Sequence, residues 1–318
     1  MALHVIVGAG PVGSATARLL AARGDEVRLL SRRGGGPAVD GVERLAADAT
    51  DAAALARHTA GAAALYSCAG PAYHRWPADW PPLGAALRHA AEASGAVLVT
   101  TGNLYAYGAV DGPMTERLPM RPNSVKGEVR AKLWADALAA HEAGRLRTAE
   151  VRGSDYLGAG ALSAFTALVL PKVLAGKRAA APADLDAPYS WTYVGDVART
   201  LVAVAADEGA WGRPWHVPTP PPMSVRALAT RAAELTGAPA ARVRTMPRIA
   251  LRLAGVFNPT ARELLEVQYQ LRGPFVLDSA AATAAFGIEP TPTDDALRET
   301  IEGLTGPKHP GKSGAATR

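Results

Sequence analysis

Leu3-His4-Val5-Ile6-Val7-Gly8-Ala9-Gly10-Pro11-Val12-Gly13 is the stretch that decides the fold. A short apolar run leads straight into a GxGxxG turn, and an Ala/Leu-rich helical segment follows near 12–23. The glycine pattern is weak by itself, but between a strand and a helix it has a mechanical meaning. Gly8 permits the tight turn, Gly10 lets a diphosphate approach the backbone, and Gly13 lets helix and strand pack closely. The helix start at Pro11 and Val12 then offers unpaired N–H groups and a positive dipole end to phosphate. A dinucleotide-binding unit is the expectation.

Outward from this stretch, short apolar runs alternate with longer helical stretches, the rhythm of parallel βαβ units. Strands are expected at 3–7, 26–30, 42–46, 63–67, 96–100 and 148–151, with helices near 12–23, 51–59, 79–94 and 124–143. After Val151 the pattern changes to longer, proline-rich loops and scattered short helices. The fold class read from this is α/β, a Rossmann-type doubly wound parallel sheet with a smaller C-terminal substrate lobe. The division expected is a dinucleotide-binding core at 1–152, a lobe at 153–305 interleaved with the last sheet elements, and a disordered tail at 306–318.

The second expected strand ends in Leu30-Ser31-Arg32-Arg33. An NAD site commonly presents a carboxylate here to the ribose 2'-hydroxyl, and none is present. Guanidinium groups grip phosphate bidentately, so Arg32, with Ser31 as a further donor, favours NADP(H) over NAD(H). Asp48, after the third strand, is placed either at the adenine edge or in a turn.

With Cys68-Ala69-Gly70 after the fourth strand and Asn103-Leu104-Tyr105-Ala106-Tyr107-Gly108 after the fifth, the sequence resembles the extended short-chain dehydrogenase/reductase family, whose best-known members are sugar-nucleotide epimerases and dehydratases. Arg152-Gly153-Ser154-Asp155-Tyr156-Leu157-Gly158 and Thr192-Tyr193-Val194-Gly195-Asp196-Val197-Ala198 extend the likeness to roughly residues 3–300. The resemblance implies a Ser/Thr, a Tyr and a Lys as working residues. Lys126-Gly127-Glu128-Val129-Arg130 looks like the family's Tyr-Gly-x-x-Lys, with Lys126 at the Tyr position and Arg130 at the Lys position, and Asn103 falls near the Ser/Thr position. Arginine holds its proton too tightly to act as a base. Lys126 is read either as a lysine that loses its proton beside Arg130 or as a fixed cation stabilising an oxyanion.

An acid/base role moved elsewhere would fall on loops at the carboxyl ends of the strands. Tyr105 is the catalytic candidate there, and Tyr73, His74, Asp155, Tyr156 and Trp191 are substrate candidates. Each has a plainer reading as core or cap, and His74 sits in a Trp/Pro-rich stretch (Trp76, Pro77, Trp80, Pro81, Pro82) that resembles a lid.

Composition bounds the rest. The 318 residues are 48% hydrophobic and 20% charged, an ordinary globular balance. The net charge of +5 is spread without a dense basic block, so a small-molecule substrate is expected and nucleic acid is not. Arg242, Arg244, Arg248 and Arg252 form the most basic stretch, read as a solvated helix face or an anion clamp. One cysteine and seven scattered histidines supply no disulfide and no metal-ligand set. No membrane span, no membrane partner and a cytoplasmic location are expected, and the family resemblance implies a homodimer contact for which the helix at 124–143 could serve. The reading is an NADP(H)-binding oxidoreductase or epimerase-like enzyme on a small polar or biosynthetic intermediate. The alternatives are a non-catalytic NADP sensor, or a redox-neutral isomerase, cyclase or dehydratase.

Overall fold

In the computed structural model, which describes residues 1–257 and 259–306, β1 (Leu3–Val7) lies inside a sheet buried on both faces. Successive strand side chains point to opposite faces, so Val5 and Val7 enter one apolar core and Ile6 the other. That two-sided burial is why the strand reads as a continuous apolar run. The helices and strands that follow are α1 (Pro11–Ala22), β2 (Glu26–Ser31), β3 (Val42–Ala46), α2 (Ala52–Thr59), β4 (Ala64–Ser67), α3 (Trp76–Ser94), β5 (Val97–Asn103), α4 (Val125–Glu142) and β6 (Thr148–Gly153). Side-chain oxygens of Asp51 and Ser124 accept the Ala54 and Gly127 N–H groups and so start α2 and α4.

Beyond them come β7 (Asp155–Leu157), α5 (Leu170–Leu174), β8 (Ala179–Ala181), β9 (Trp191–Tyr193), α6 (Val194–Ala206), β10 (Pro214–His216), α7 (Val225–Thr236), β11 (Val243–Thr245), α8 (Arg248–Phe257), α9 (Pro259–Glu266), α10 (Ala280–Phe286) and α11 (Thr293–Thr305). The main sheet runs β10-β6-β5-β4-β1-β2-β3, all parallel. Strand order therefore reverses between β1 and β4, the switch point where open α/β sheets leave a crevice.

One face of the sheet packs on α1 and α6 through Leu20, Val197 and Leu201, and the other on α2, α3 and α4 through Leu55, Leu87 and Ala140. The later segment builds two small parallel ladders, β7 with β9 and β8 with β11, around a third core that includes Phe165, Trp191, Leu228 and Leu297. It also returns to the main sheet through α6 and β10.

The Trp/Pro-rich stretch is not a lid but the first turns of α3, which begins three residues before the expected 79. Pro77 sits in the first turn, where its missing N–H has no partner to lose. Pro81 and Pro82 remove later helical hydrogen bonds, and burial of Trp76 and Trp80 against the sheet offsets that loss. No described helix is long and apolar enough to cross a membrane. From residue 307 on, the expected disordered tail lies outside the described residues.

Candidate functional site

The turn after β1 is shaped by contacts that leave room on one side only. Gly8 has φ +108°, and a β-carbon there would stand 2.5 Å from the Ala69 nitrogen, because the chain leaving β4 presses against the turn. A β-carbon on Gly13 would meet the Gly8 carbonyl oxygen at 1.9 Å, whereas at Gly10 it would meet nothing within 4 Å. Gly10 caps α1 and Pro11 follows it, so the first-turn N–H groups of Val12 and Gly13 have no acceptor within the helix. An anion-sized approach to the backbone is open at Gly10 and closed at Gly8 and Gly13.

At the end of β2, the Ser31 hydroxyl donates to the Gly35 carbonyl at 3.2 Å, and Arg32 and Arg33 are exposed. Asp48 is also exposed and accepts from the Thr50 N–H at 2.9 Å and hydroxyl at 2.7 Å. Those bonds, with the Arg32 charge as a lesser cause, hold its carboxyl below the ordinary range. Burial pushes the Cys68 thiol up to about 12. It therefore stays protonated at neutral pH, and nucleophilic thiolate chemistry has no support here.

Lys126 and Arg130 lie one turn apart on α4, yet they reach different neighbours. Lys126 is 1% exposed. Its Nζ donates to Glu263 and, at 2.7 Å, to Glu266, its backbone N–H donates to Glu266 at 2.9 Å, and its ammonium stands 4.7 Å above the Tyr73 ring. Arg130 donates to the Thr101 carbonyl at 2.6 Å and to Glu150 at 3.1 Å, with its guanidinium 4.9 Å over Trp80. The other oxygen of Glu150 accepts from Arg152 at 2.6 Å. The lysine is thus tied to α9 and the arginine to a buried Arg-Glu-Arg group at the sheet.

Asn103 ends β5 beside Gly153 of β6, and its side-chain oxygen accepts the Tyr105 N–H at 3.2 Å. Past that turn the hydroxyls of Tyr105 and Tyr73 meet at 2.9 Å. Asp155 opens β7 at the same sheet end, and burial pushes its carboxyl up to about 6. Burial first, and then neighbours that include Asp155, holds the phenols of Tyr105, Tyr73 and Tyr189 above their ordinary range. The buried Tyr189 hydroxyl and Ser154 Oγ make no hydrogen bond among the described residues. The phenols can therefore donate hydrogen bonds, while the Asp155 carboxyl ionises as pH rises through about 6.

Among the candidates read from the sequence, Lys126, Tyr73, Tyr105 and Asp155 come together, with Asn103 at the same strand end. His74 is exposed on the short helical turn at Tyr73–Arg75. Trp191 is buried in the third core with its indole N–H on the Met223 carbonyl at 2.7 Å, and the Tyr156 hydroxyl reaches the Gly102 carbonyl at 3.5 Å. Sequence reasoning missed Glu150, Glu263 and Glu266. Lys126 and its two carboxylates are 137 and 140 residues apart, so no local pattern could link them. No group of three metal-ligating side chains occurs among the described residues.

A model of the NAD dependent epimerase/dehydratase family matches residues 4–217, more than half of the chain. No curated protein matches the sequence. Among solved structures, the chain is similar to the UDP-glucose 4-epimerase of Thermus thermophilus in complex with NAD, at 20% identity and TM-score 0.76, covering 96% of this chain and 99% of that one. It is also similar to the Streptomyces venezuelae dTDP-glucose 4,6-dehydratase DesIV, a double mutant with NAD and DAU bound, at 22% identity and TM-score 0.72, covering 96% and 97%. The UDP-glucuronic acid 4-epimerase of Bacillus cereus, in complex with NAD, gives 15% identity and TM-score 0.74 over 95% and 98%. At such identities the likeness establishes the fold.

Proposed function

The chain belongs to the NAD-dependent epimerase/dehydratase family, and from that premise we propose that it binds a nicotinamide dinucleotide, NADP(H) in preference to NAD(H), and acts as an oxidoreductase or epimerase-like enzyme on a small polar or biosynthetic intermediate. The observation that carries this reading is the turn at residues 8–13, closed to a β-carbon at Gly8 and Gly13 and open at Gly10, at the start of α1. Its amides suit a diphosphate, and the exposed Arg32, with Ser31 and Asp48 beside it, suits the adenosine end. The similar structures carry NAD, so the NADP preference rests on Arg32 and the missing carboxylate alone.

When bound, the nicotinamide supplies or accepts a hydride. The residues of the chain position the substrate and move its proton. Lys126 and Arg130 are both engaged with protein carboxylates, so the proton-handling role is assigned to Asp155, with the Tyr105 and Tyr73 hydroxyls orienting the substrate oxygen and Asn103 fixing the Tyr105 turn. An ionised carboxylate with a pKa of about 6 accepts a hydroxyl proton at neutral pH. Calorimetry with NADPH and NADH on the native chain and on Arg32→Ala tests the first step. The native chain is expected to prefer NADPH and the variant to lose that preference, and an NADH preference in the native chain would defeat the role of Arg32.

The engagement of Lys126 and Arg130 also favours a second reading, a non-catalytic NADP sensor. It predicts tight NADPH binding with no nicotinamide turnover on a panel of carbonyl compounds and nucleotide sugars. Turnover that disappears in Asp155→Asn, with NADPH binding retained, would exclude it.

A further inference from the structure

The most basic stretch of the sequence plays no part in the site above. It is divided between two elements, with Arg242 and Arg244 at β11, Arg252 on α8, and the Arg248 side chain outside the described residues. α8 also presents an apolar ridge to solvent. Ile249, Leu253 and Val256 are 69%, 62% and 62% exposed, and they are three of the eight large hydrophobic side chains that stand exposed among the described residues. Their spacing of four and three residues puts them on one side of the helix. Leu251, on the opposite side, is 3% exposed, so the helix is seated on the body by one face and offers the other outward. Single exposed apolar residues need no explanation, but a ridge of three does.

The surroundings of the ridge are cationic. Parallel pairing of β11 with β8 sets Arg244 opposite Ala180, and Arg242, just before β11, donates to the Gly176 carbonyl at 3.0 Å beside the Lys177-Arg178 segment that leads into β8. Arg252 flanks the ridge on α8, and Arg262 donates to the Gly255 carbonyl near its end. All six cations are exposed, and none is paired with a carboxylate among the described residues. The nearby Glu263 and Glu266 are drawn inward to Lys126.

We propose that α8 and the β8–β11 edge form a docking surface for an anionic lipid bilayer, with Ile249, Leu253 and Val256 entering the headgroup boundary and the surrounding Arg and Lys side chains meeting lipid phosphates. An apolar ridge with basic flanks is what an interfacial helix needs, and it requires no spanning segment. Nucleic acid would match the cations but would leave the ridge in water. A second copy of the chain would cover the ridge but would bring the same positive charges face to face.

The test is sedimentation of the full chain with vesicles of phosphatidylcholine alone and of equal parts phosphatidylcholine and phosphatidylglycerol. Pelleting is expected with the anionic vesicles only, and it should weaken as salt is raised. Ile249→Ser/Leu253→Ser/Val256→Ser and, separately, Arg244→Glu/Arg252→Glu should each reduce the bound fraction about tenfold. Both sets change exposed positions, so an unchanged circular dichroism melt is expected and shows that the fold persists. Absence of pelleting by the native chain, or pelleting undiminished in the apolar variant, overturns the proposal. So does self-association of the native chain that the apolar variant abolishes without vesicles, or binding to a DNA duplex that only the arginine variant loses.

Discussion

At residue 13 there is no space for even a methyl group, and three residues earlier there is ample space. A β-carbon on Gly13 would sit 1.9 Å from the Gly8 carbonyl oxygen, a backbone atom that cannot swing aside. Gly13→Ala must therefore push α1 away from β1, and a loss of about 1–3 kcal/mol is expected from overpacking, read as a lower melting temperature together with weakened NADPH binding. Gly10→Ala separates the two effects. Its β-carbon meets nothing in the protein, so the melt should be unchanged while NADPH affinity falls, because the methyl group occupies the path of the diphosphate. If Gly10→Ala binds NADPH as tightly as the native chain, the open side of the turn is not where phosphate lies. The same distinction explains why the motif was readable. Its glycines are required by backbone geometry that a linear sequence can display, whereas the partners of Lys126 are not.

At the scale of the element, α4 joins two parts of the fold. Lys126 ties its first turn to α9, and one turn later Arg130 ties it to β6 through Glu150. Glu150 is the shared carboxylate between two guanidinium groups, and all three side chains are 4% exposed or less. Removing one member of a buried charged group leaves the others uncompensated, at a cost of about 3–5 kcal/mol. Glu150→Gln keeps the shape and removes the charge, so a loss toward that size is expected in urea unfolding, with α4 and β6 losing amide protection first. A change within experimental error would mean that solvent reaches the two arginines. Strands β1 to β6 and helices α1, α2 and α4 were legible because short apolar runs and helix signals repeat at βαβ spacing. β10 was not, since Pro214-Trp215-His216 is a three-residue edge strand beginning in proline, the kind a sheet tolerates only at its border. The start of α3 was obscured for a related reason. Prolines that normally mark a loop are held in its first turns by the burial of Trp76 and Trp80. In the site, Tyr73, Tyr105 and Asp155 could be named from their places after strands, but Glu150, Glu263 and Glu266 are joined to it only by long-range packing.

For the molecule as a whole, buried titratable groups set opposing dependences on pH. The Asp155 carboxyl rises from 3.8 to about 6 on folding, chiefly through burial. Below the lower value both states are protonated and the group contributes nothing. Above the higher value both are ionised, and the folded state must hold the charge in a half-buried site, a penalty of about 3 kcal/mol at most. His216 and His4 act with the opposite sign, because burial lowers both. His216 Nε2 is paired with the Tyr107 hydroxyl and Nδ1 with the Asp278 carbonyl, each at 2.8 Å. As pH falls below the ordinary histidine value of 6.5, the unfolded chain takes up protons first and stability is lost. Between about pH 4 and 6.5 the two trends oppose each other, so the native chain should have a shallow stability profile there. Asp155→Asn removes one trend and leaves the other. The variant is expected to be more stable than the native chain by about 1–3 kcal/mol above pH 7, to equal it near pH 4, and to lose stability more steeply on acidification. Urea unfolding across that range measures the difference. A variant no more stable than the native chain at high pH would mean that Asp155 is not buried as a charge, and the proton-accepting role assigned to it near neutrality would lose its physical basis.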